Sequence, residues 1–448
     1  LQNKDYRSTV WGTWQQNAPS IFCYIRVLII INMKFKFIGN AGGIFTGSSN
    51  TKILCDPWIV DGIFESSCFH YPPLKTKIED LQDIDAIYLS HIHPDHYDEK
   101  NFNFHKDILI IILDEGPNFL KKNLIKKGYK NILEIKDGET KKFREFNLTM
   151  YKPFTGHIYE ESLLGNLIDS ALVLNDGDIT AINFNDNTPN EKTCISLKNK
   201  FKKIDLAMIN YNAAGPYPSC FDNLTINEKK NESERILERN FKFLCKVIPL
   251  LSPKTVLPFA GGYIIGGKNY LKNEYLGTTT WDVCADYLKK NLTPETNVIC
   301  LRENQIFDIS NQSCSEKYER IDVSLMKKYI QTLKNHKYEY EYDEVPNIKK
   351  LKKDIELSKE MLLERLKKYN LNIKTSIFID LNGEKIKIID GKEKDSKMIC
   401  SMDNKLLRRI LDKKAHWNNA EIGTHISFLR TPNKMEPDAH TIMSFFHC

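Results

Sequence analysis

The sequence predicts an α+β chain with a strand-rich body and a smaller carboxy-terminal part, and three observations predict it. From Met33 onward short apolar runs alternate with turn-forming residues, several of those runs end in polar loops, and after about residue 310 the composition shifts to lysine- and glutamate-rich helical spacing. The 448 residues are expected to divide into an extension (1–32), a main domain (33–310) and a helical and α/β carboxy-terminal region (311–448).

Bulk composition narrows the function classes. Sixty-four Lys+Arg against 58 Asp+Glu give a net charge of +6, spread along the chain. That excess suits an anionic small molecule and does not call for a nucleic acid partner. The 11 cysteines form no Cys-x-x-Cys pair and sit at apolar positions such as Leu54-Cys55 and Leu244-Cys245, as reduced thiols do. A cytoplasmic, reducing compartment is expected. The cysteine pattern is read as lacking the Cys-x-His and Cys-x-x-His pairs of a Rieske iron–sulfur site. Residues 1–32 read as an extension before the true start. Their apolar stretch, residues 21–31, is too short to span a bilayer, so no membrane insertion is expected.

In chain order, residues 34–39 alternate as a strand with one wet face, and residues 39–47 hold four glycines where backbone can approach a ligand. Residues 53–58 make a strand stopped by Pro57, residues 108–113 a buried strand, and residues 119–127 a helix ended by Gly128. Strands are expected at 132–135 and 148–151, and a hairpin over 170–183 turns at Asn175-Asp176-Gly177-Asp178. The glycines around Lys268 read as a mobile loop beside the pocket rather than a phosphate loop. Amphipathic helices are expected over 316–337 and 349–368, and a hairpin about Asn382-Gly383. His416, His425, His440 and His447 read as packing residues, with an outer pocket wall as the alternative.

The richest chemistry lies in Ser90-His91-Ile92-His93-Pro94-Asp95-His96. Three of the chain's 11 histidines and an aspartate fall within six residues, directly behind the apolar run 86–89. His91 and His93 are two apart, so an extended segment sends both imidazoles to one face. Asp95 and His96 follow a proline turn and can fill a second donor set beside the first. Imidazole and carboxylate together suit zinc or iron, and one or two divalent ions are expected.

This His-x-His-x-Asp-His loop resembles the signature of the metallo-β-lactamase fold. The resemblance implies a four-layer αβ/βα sandwich with metal at one edge of its two sheets. It implies that His91 and His93 hold one ion and that Asp95 and His96 hold a second. His157 would then be the third histidine on the first ion, and Asp186 the carboxylate that bridges the two. Asp56-Pro57-Trp58 resembles the short motif in which an aspartate orients the loop. The family's late histidine is missing after Thr255-Val256-Leu257-Pro258, and His105 is a candidate substitute. Residues 211–221 and 257–263 resemble the β-lactamase-like domain of the CMP-N-acetylneuraminate hydroxylase family.

Two activities are therefore expected to compete. In the first, a metal-dependent hydrolase, Asp95 orients or deprotonates a metal-activated water that attacks an ester, lactone or phosphodiester. Lactonases of the ascorbate-6-phosphate type and phospholipases of the N-acylphosphatidylethanolamine type show the same fold at work. The alternative is an iron-dependent monooxygenase acting on a nucleotide sugar or related sugar, which needs an electron donor. A non-catalytic binding scaffold is the third reading, and the complete His91, His93, Asp95, His96 set argues against it.

Overall fold

The structure, a computed structural model, describes residues 33–448 apart from 117, 155–168, 435 and 448. The proposed extension 1–32 and His157 lie outside the described residues.

Two large sheets form the main body. One has eight strands and includes Lys34–Gly39, Gly42–Thr46, Lys52–Cys55, Ala86–Tyr88, Leu109–Leu113 and Ile132–Ile135. The other has seven and includes Phe146–Tyr151, Ala171–Asn175, Thr180–Asn183, Leu206–Ile209 and Thr255–Pro258. Side chains alternate across each strand, so one face of each sheet meets the other sheet. Phe35, Ile53, Ile111, Leu172, Leu174, Leu206 and Met208 share that inner core.

The opposite faces carry helices. Ile110, Ile112 and Leu54 pack with Leu120 and Leu124 of the helix Phe119–Lys126. Val173, Ile182 and Ala207 pack with Leu244, Val247 and Ile248 of the helix Ile226–Leu251, and with Cys284 and Leu288 of Trp281–Asn291. Strands covered on both faces read as unbroken apolar runs, which is why 109–113 and 206–209 show no polar alternation. Helix, sheet, sheet and helix make the four-layer sandwich, and the chain has the metallo-β-lactamase fold.

Neighbouring strands Lys52–Cys55, Ala86–Tyr88, Leu109–Leu113 and Ile132–Ile135 run parallel. So do Thr180–Asn183, Leu206–Ile209 and Thr255–Pro258 in the facing sheet. Loops at the carboxyl ends of parallel strands are where ligand sites form in α/β sheets, and both sheets supply such loops here.

A four-stranded sheet, Glu384–Ile389, Ser376–Leu381, Lys397–Ser401 and Ser427–Thr431, follows in the carboxy-terminal part. Leu381 pairs with Glu384 across Asn382 and Gly383, both at positive φ, as a two-residue hairpin requires. The helix Ile348–Lys368 packs Leu351, Ile355 and Leu362 into its core, where Phe221 also sits. The Phe221 segment joins this sheet directly, since Asp222 N donates to Phe428 O at 2.8 Å.

Two expectations are corrected. Of the span 316–337, only Val323–Thr332 is α-helical, because the Asp322 carboxylate accepts from the amides of Ser324 and Leu325 and starts the helix there. The stretch around Lys268 is not an open loop: Gly267–Tyr275 is a 3-10 helix. Gly267 has φ +67° and a Cβ there would lie 2.3 Å from the Tyr338 ring, so the turn is wedged against that ring. Lys268 pairs with Glu341 at 3.3 Å. Among the described residues no helix is long and apolar enough to cross a membrane.

Candidate metal centre

Four strand ends deliver the polar side chains. The donor loop 90–96 follows Ala86–Tyr88, and Asp56 follows its neighbour Lys52–Cys55. Across the sandwich Asp186 follows Thr180–Asn183, and Asn210 follows Leu206–Ile209. The structure thereby brings His91, His93, Asp95, His96 and Asp186 into one cluster.

The donor atoms face one another. His91 Nε2 lies 3.0 Å from His93 Nδ1 and 4.0 Å from Asp186 Oδ2. His96 Nε2 lies 3.5 Å from Asp186 Oδ2 and 3.6 Å from Asp95 Oδ2. One ligand atom each from His91, His96 and Asp186 fit within 4.8 Å of one another. Bonds of about 2.0–2.2 Å at tetrahedral angles place two ligand atoms about 3.4 Å apart, so these separations suit a shared cation.

Outer partners hold each group. The Asp56 carboxylate accepts from Ser90 N at 2.8 Å, Ser90 Oγ at 2.7 Å and His96 Nδ1 at 3.0 Å. That leaves His96 Nε2 aimed at the cluster, buried and without a hydrogen-bond partner. Asn210 Nδ2 donates to Asp186 Oδ1 at 2.7 Å and frees Oδ2. Asn40 Nδ2 reaches Asp95 Oδ2 at 3.4 Å, while Asn40 Oδ1 accepts from the amides of Gly261 and Gly262 at 2.8 and 2.9 Å. This backbone loop occupies the segment where a late histidine was sought. His105 is no substitute: its side chain is 78% exposed and lies near Asp107.

Two residues that the sequence did not single out join the cluster. Asp169, directly before the strand Ala171–Asn175, puts Oδ1 3.1 Å from His91 Nδ1, buried and without a hydrogen-bond partner. Its only sequence signal is its place at a strand start. Asn418, on the short helix Trp417–Ile422, has Oδ1 2.8 Å from His93 Nε2. An amide oxygen only accepts, so His93 carries its proton on Nε2 and keeps the Nδ1 lone pair toward His91. Outer partners of this kind tune ligand imidazoles. Asn418→Leu is therefore expected to weaken metal binding about 10–100-fold, and Asn418→Asp to retain it. Chelator competition measures both; a leucine variant with undiminished affinity would show that this bond does not orient the ring.

The electrostatics also ask for a cation. Asp56, Asp95, Asp169 and Asp186 converge, and among the described residues no lysine or arginine pairs with any of them. Burial, aided by Asp186, raises Asp169 well above the usual carboxylate range, and Asp95 is also raised by burial. Burial and its neighbours His96 and His93 push His91 well below the ordinary imidazole value. Burial opposes the charged form of His96 as well, yet Asp95, Asp186 and Asp56 together raise it well above that value. Burial tends to raise Asp186, but His96 brings it down. The orphaned His96 Nε2 and Asp169 Oδ1, the surplus of carboxylates and the low basicity of His91 all fit a divalent ion. Burial also pushes the Tyr263 phenol well up, with Cys68, Asp95 and Asp186 adding to it.

One expectation about cysteine spacing is corrected, since a Cys-x-His pair does occur at Cys68-Phe69-His70. Cys68 lies in the short strand Cys68–Phe69, and His70 Nδ1 bonds Asp61 at 2.7 Å while its ring meets Trp58 at 3.6 Å.

No protein-family profile matches the chain. It is 30% identical over 201 residues to a Mycobacterium tuberculosis (strain H37Rv) protein provisionally named a Rieske 2Fe-2S iron–sulfur protein, covering 42% of this chain and 36% of that one. A similarly named protein of Mycolicibacterium smegmatis is 30% identical over 200 residues, with the same coverage. The match thus spans about a third of the length of these curated relatives.

Among solved structures, CmlA, a diiron beta-hydroxylase from Streptomyces venezuelae, aligns with TM-score 0.39 and 15% identity over 60% of this chain and 53% of its own. The isothiocyanate hydrolase from Delia radicum gut bacteria aligns with TM-score 0.41 and 20% identity, over 61% and 98%. The metallo-β-lactamase fold protein YhfI from Bacillus subtilis gives TM-score 0.38 and 12% identity, over 61% and 98%. The fold assignment stands on this chain's own sheets and donor loop.

Proposed function

We propose that the chain is a metal-dependent enzyme whose ion or ions are held by His91, His93, Asp95, His96 and Asp186, with His157 as the further donor expected from sequence. The observation that carries this reading is the buried, unpartnered His96 Nε2 facing Asp186 and Asp95 within a carboxylate-rich cluster. We also propose that residues 311–448 form an appended part that helps complete the centre, since Asn418 belongs to them.

The first reading of the chemistry is hydrolysis of an ester, lactone or phosphodiester. A bound divalent ion supplies Lewis acidity and a water acidified toward neutrality. The chain's own residues position the reactants. Asp56 and Asn418 set the imidazole tautomers, Asn210 turns Asp186, and Asn40 steadies Asp95. Asp95, raised by burial, accepts the proton of the attacking water.

The second reading is iron-dependent oxidation. It is favoured by the relatives' names, which refer to a Rieske 2Fe-2S iron–sulfur protein, and a donor set of imidazoles and carboxylates accepts iron as well as zinc. Elemental analysis of protein purified without added metal tests both. Zinc is the expected result for hydrolysis, two irons per chain select oxidation, and metal-free protein that still turns over substrate overturns the proposal.

A further inference from the structure

A cavity of about 520 Å³ opens between the donor loop and the carboxy-terminal part, a size that holds a small-molecule substrate. It is lined by Ile92, His93 and Pro94 of the donor loop and by Arg365, Lys413 and Lys414 of the carboxy-terminal part. His416 and His447 line it too, so these two histidines form a pocket wall, whereas His425 and His440 are tied into packing by Phe64 O and Glu421.

Positive charge exceeds negative on its walls, where Lys100, Arg365, Lys413 and Lys414 face Glu65, Asp98 and Glu99. Glu65 is engaged by Arg409 at 3.1 Å, and Asp98 accepts from Asn101 Nδ2 at 2.6 Å and from Lys100 N at 3.2 Å. Glu99 Oε2 is reached by Asn123 Nδ2 at 3.5 Å. Lys100 pairs with Glu339. By contrast Arg365, Lys413 and Lys414 make no ion pair among the described residues; Arg365 lies only over the Phe445 ring, at 5.0 Å. Burial pushes His416 down to about 4, so it adds no positive charge at neutral pH.

The wall nearest Glu65 is also held in an unusual backbone. Phe64, Glu65 and Ser66 are consecutive non-glycine residues at φ +51°, +58° and +65°. Each such residue costs about 1–3 kcal/mol unless its surroundings impose it. Here they do: His425 Nε2 donates to Phe64 O at 2.9 Å, and Ser67 Oγ donates to the same carbonyl at 2.8 Å. This wall segment is thus held by hydrogen bonds to Phe64 O.

We propose that this cavity is the substrate chamber and that it takes a compound with an apolar or aromatic body and an anionic group, phosphate or carboxylate. The anion lies against Lys413, Lys414 and Arg365, and the reacting end lies toward His93. The orientation rests on the metal-centre reading; the anion site does not. Phe119 and Phe445 supply apolar surface for the body.

Calorimetric titration of the full chain with phenyl phosphate, phenylacetate and neutral benzyl alcohol tests this. At least one acid is expected to bind saturably, and the Lys413→Ala/Lys414→Ala double variant to bind it at least about tenfold more weakly with unchanged metal content. The tighter acid identifies the anion as phosphate or carboxylate. Equal binding by the variant, alcohol binding as tight as the acids, or no binding of either acid overturns the chamber. Acid binding that vanishes with chelator and ignores the lysines overturns it while leaving the metal reading intact. Lysine-dependent binding by protein that never holds metal supports the chamber and removes the metal reading.

Discussion

The His91→Ala/His93→Ala variant is expected to purify folded, without metal and without activity. His91 Nε2 and His93 Nδ1 stand 3.0 Å apart at the head of the cluster, and His91 also approaches Asp186. Losing an outer partner of a ligand costs about 10–100-fold in metal affinity, so losing two direct donors exceeds that. Elemental analysis and circular dichroism on the same sample check the two halves of the claim. His416→Ala is the control. That side chain lines the chamber and, among the described residues, shares no hydrogen bond with a metal donor, so metal content should stay as in the wild type while substrate binding is free to change. Metal retained by the double variant would remove these two histidines from the ligand set; metal lost from His416→Ala would mean the chamber wall reaches the centre.

The fold was legible because its chemistry is local. Strands buried on both faces carry unbroken apolar runs, and Leu109–Leu113 and Ile132–Ile135 fall within a residue of where such runs predict them. The donor loop was legible because one short loop holds four of the groups. The helix Ile226–Leu251 was not among the expected elements, although Thr225 and Glu228 form a reciprocal capping box at its start, because charge dilutes its amphipathic stripe.

What stayed hidden is what depends on distance along the chain. Asn418 meets His93 across 325 residues, and nothing in an asparagine on a short helix announces a ring to orient. Asp169 resembles any turn aspartate until the sandwich closes around it. The absence of a late histidine was visible, but its structural counterpart was not. Asn40, within the glycine-rich stretch, ties the amides of Gly261 and Gly262 to Asp95 and so links the two sheets where an imidazole was expected. The same long-range logic gives the carboxy-terminal histidines two fates. His425, lowered to about 3 by burial, is a neutral strut between Phe64 and Tyr340, while His416 faces the chamber.

Asp56 offers the sharpest separation between holding the fold and preparing the metal. It is fully buried, and its two oxygens accept from Ser90 N, Ser90 Oγ and His96 Nδ1. Asp56→Ala leaves the buried Ser90 N without its acceptor, takes from Ser90 Oγ and His96 Nδ1 the carboxylate they share and removes the charge that supports His96, which is expected to cost about 3–5 kcal/mol of stability in urea unfolding. Asp56→Asn keeps the shape and should cost far less stability, but it reverses one hydrogen bond. With Oδ1 still accepting from Ser90 N, the new amide nitrogen faces His96 Nδ1 and must donate to it. His96 then carries its proton on Nε2, the atom that faces Asp95 and Asp186, and can no longer offer a lone pair there. The asparagine variant should therefore melt near the wild type yet bind metal at least about 10–100-fold more weakly. If it binds metal as the wild type does, His96 Nε2 is not a donor, and Asp56 serves the loop alone.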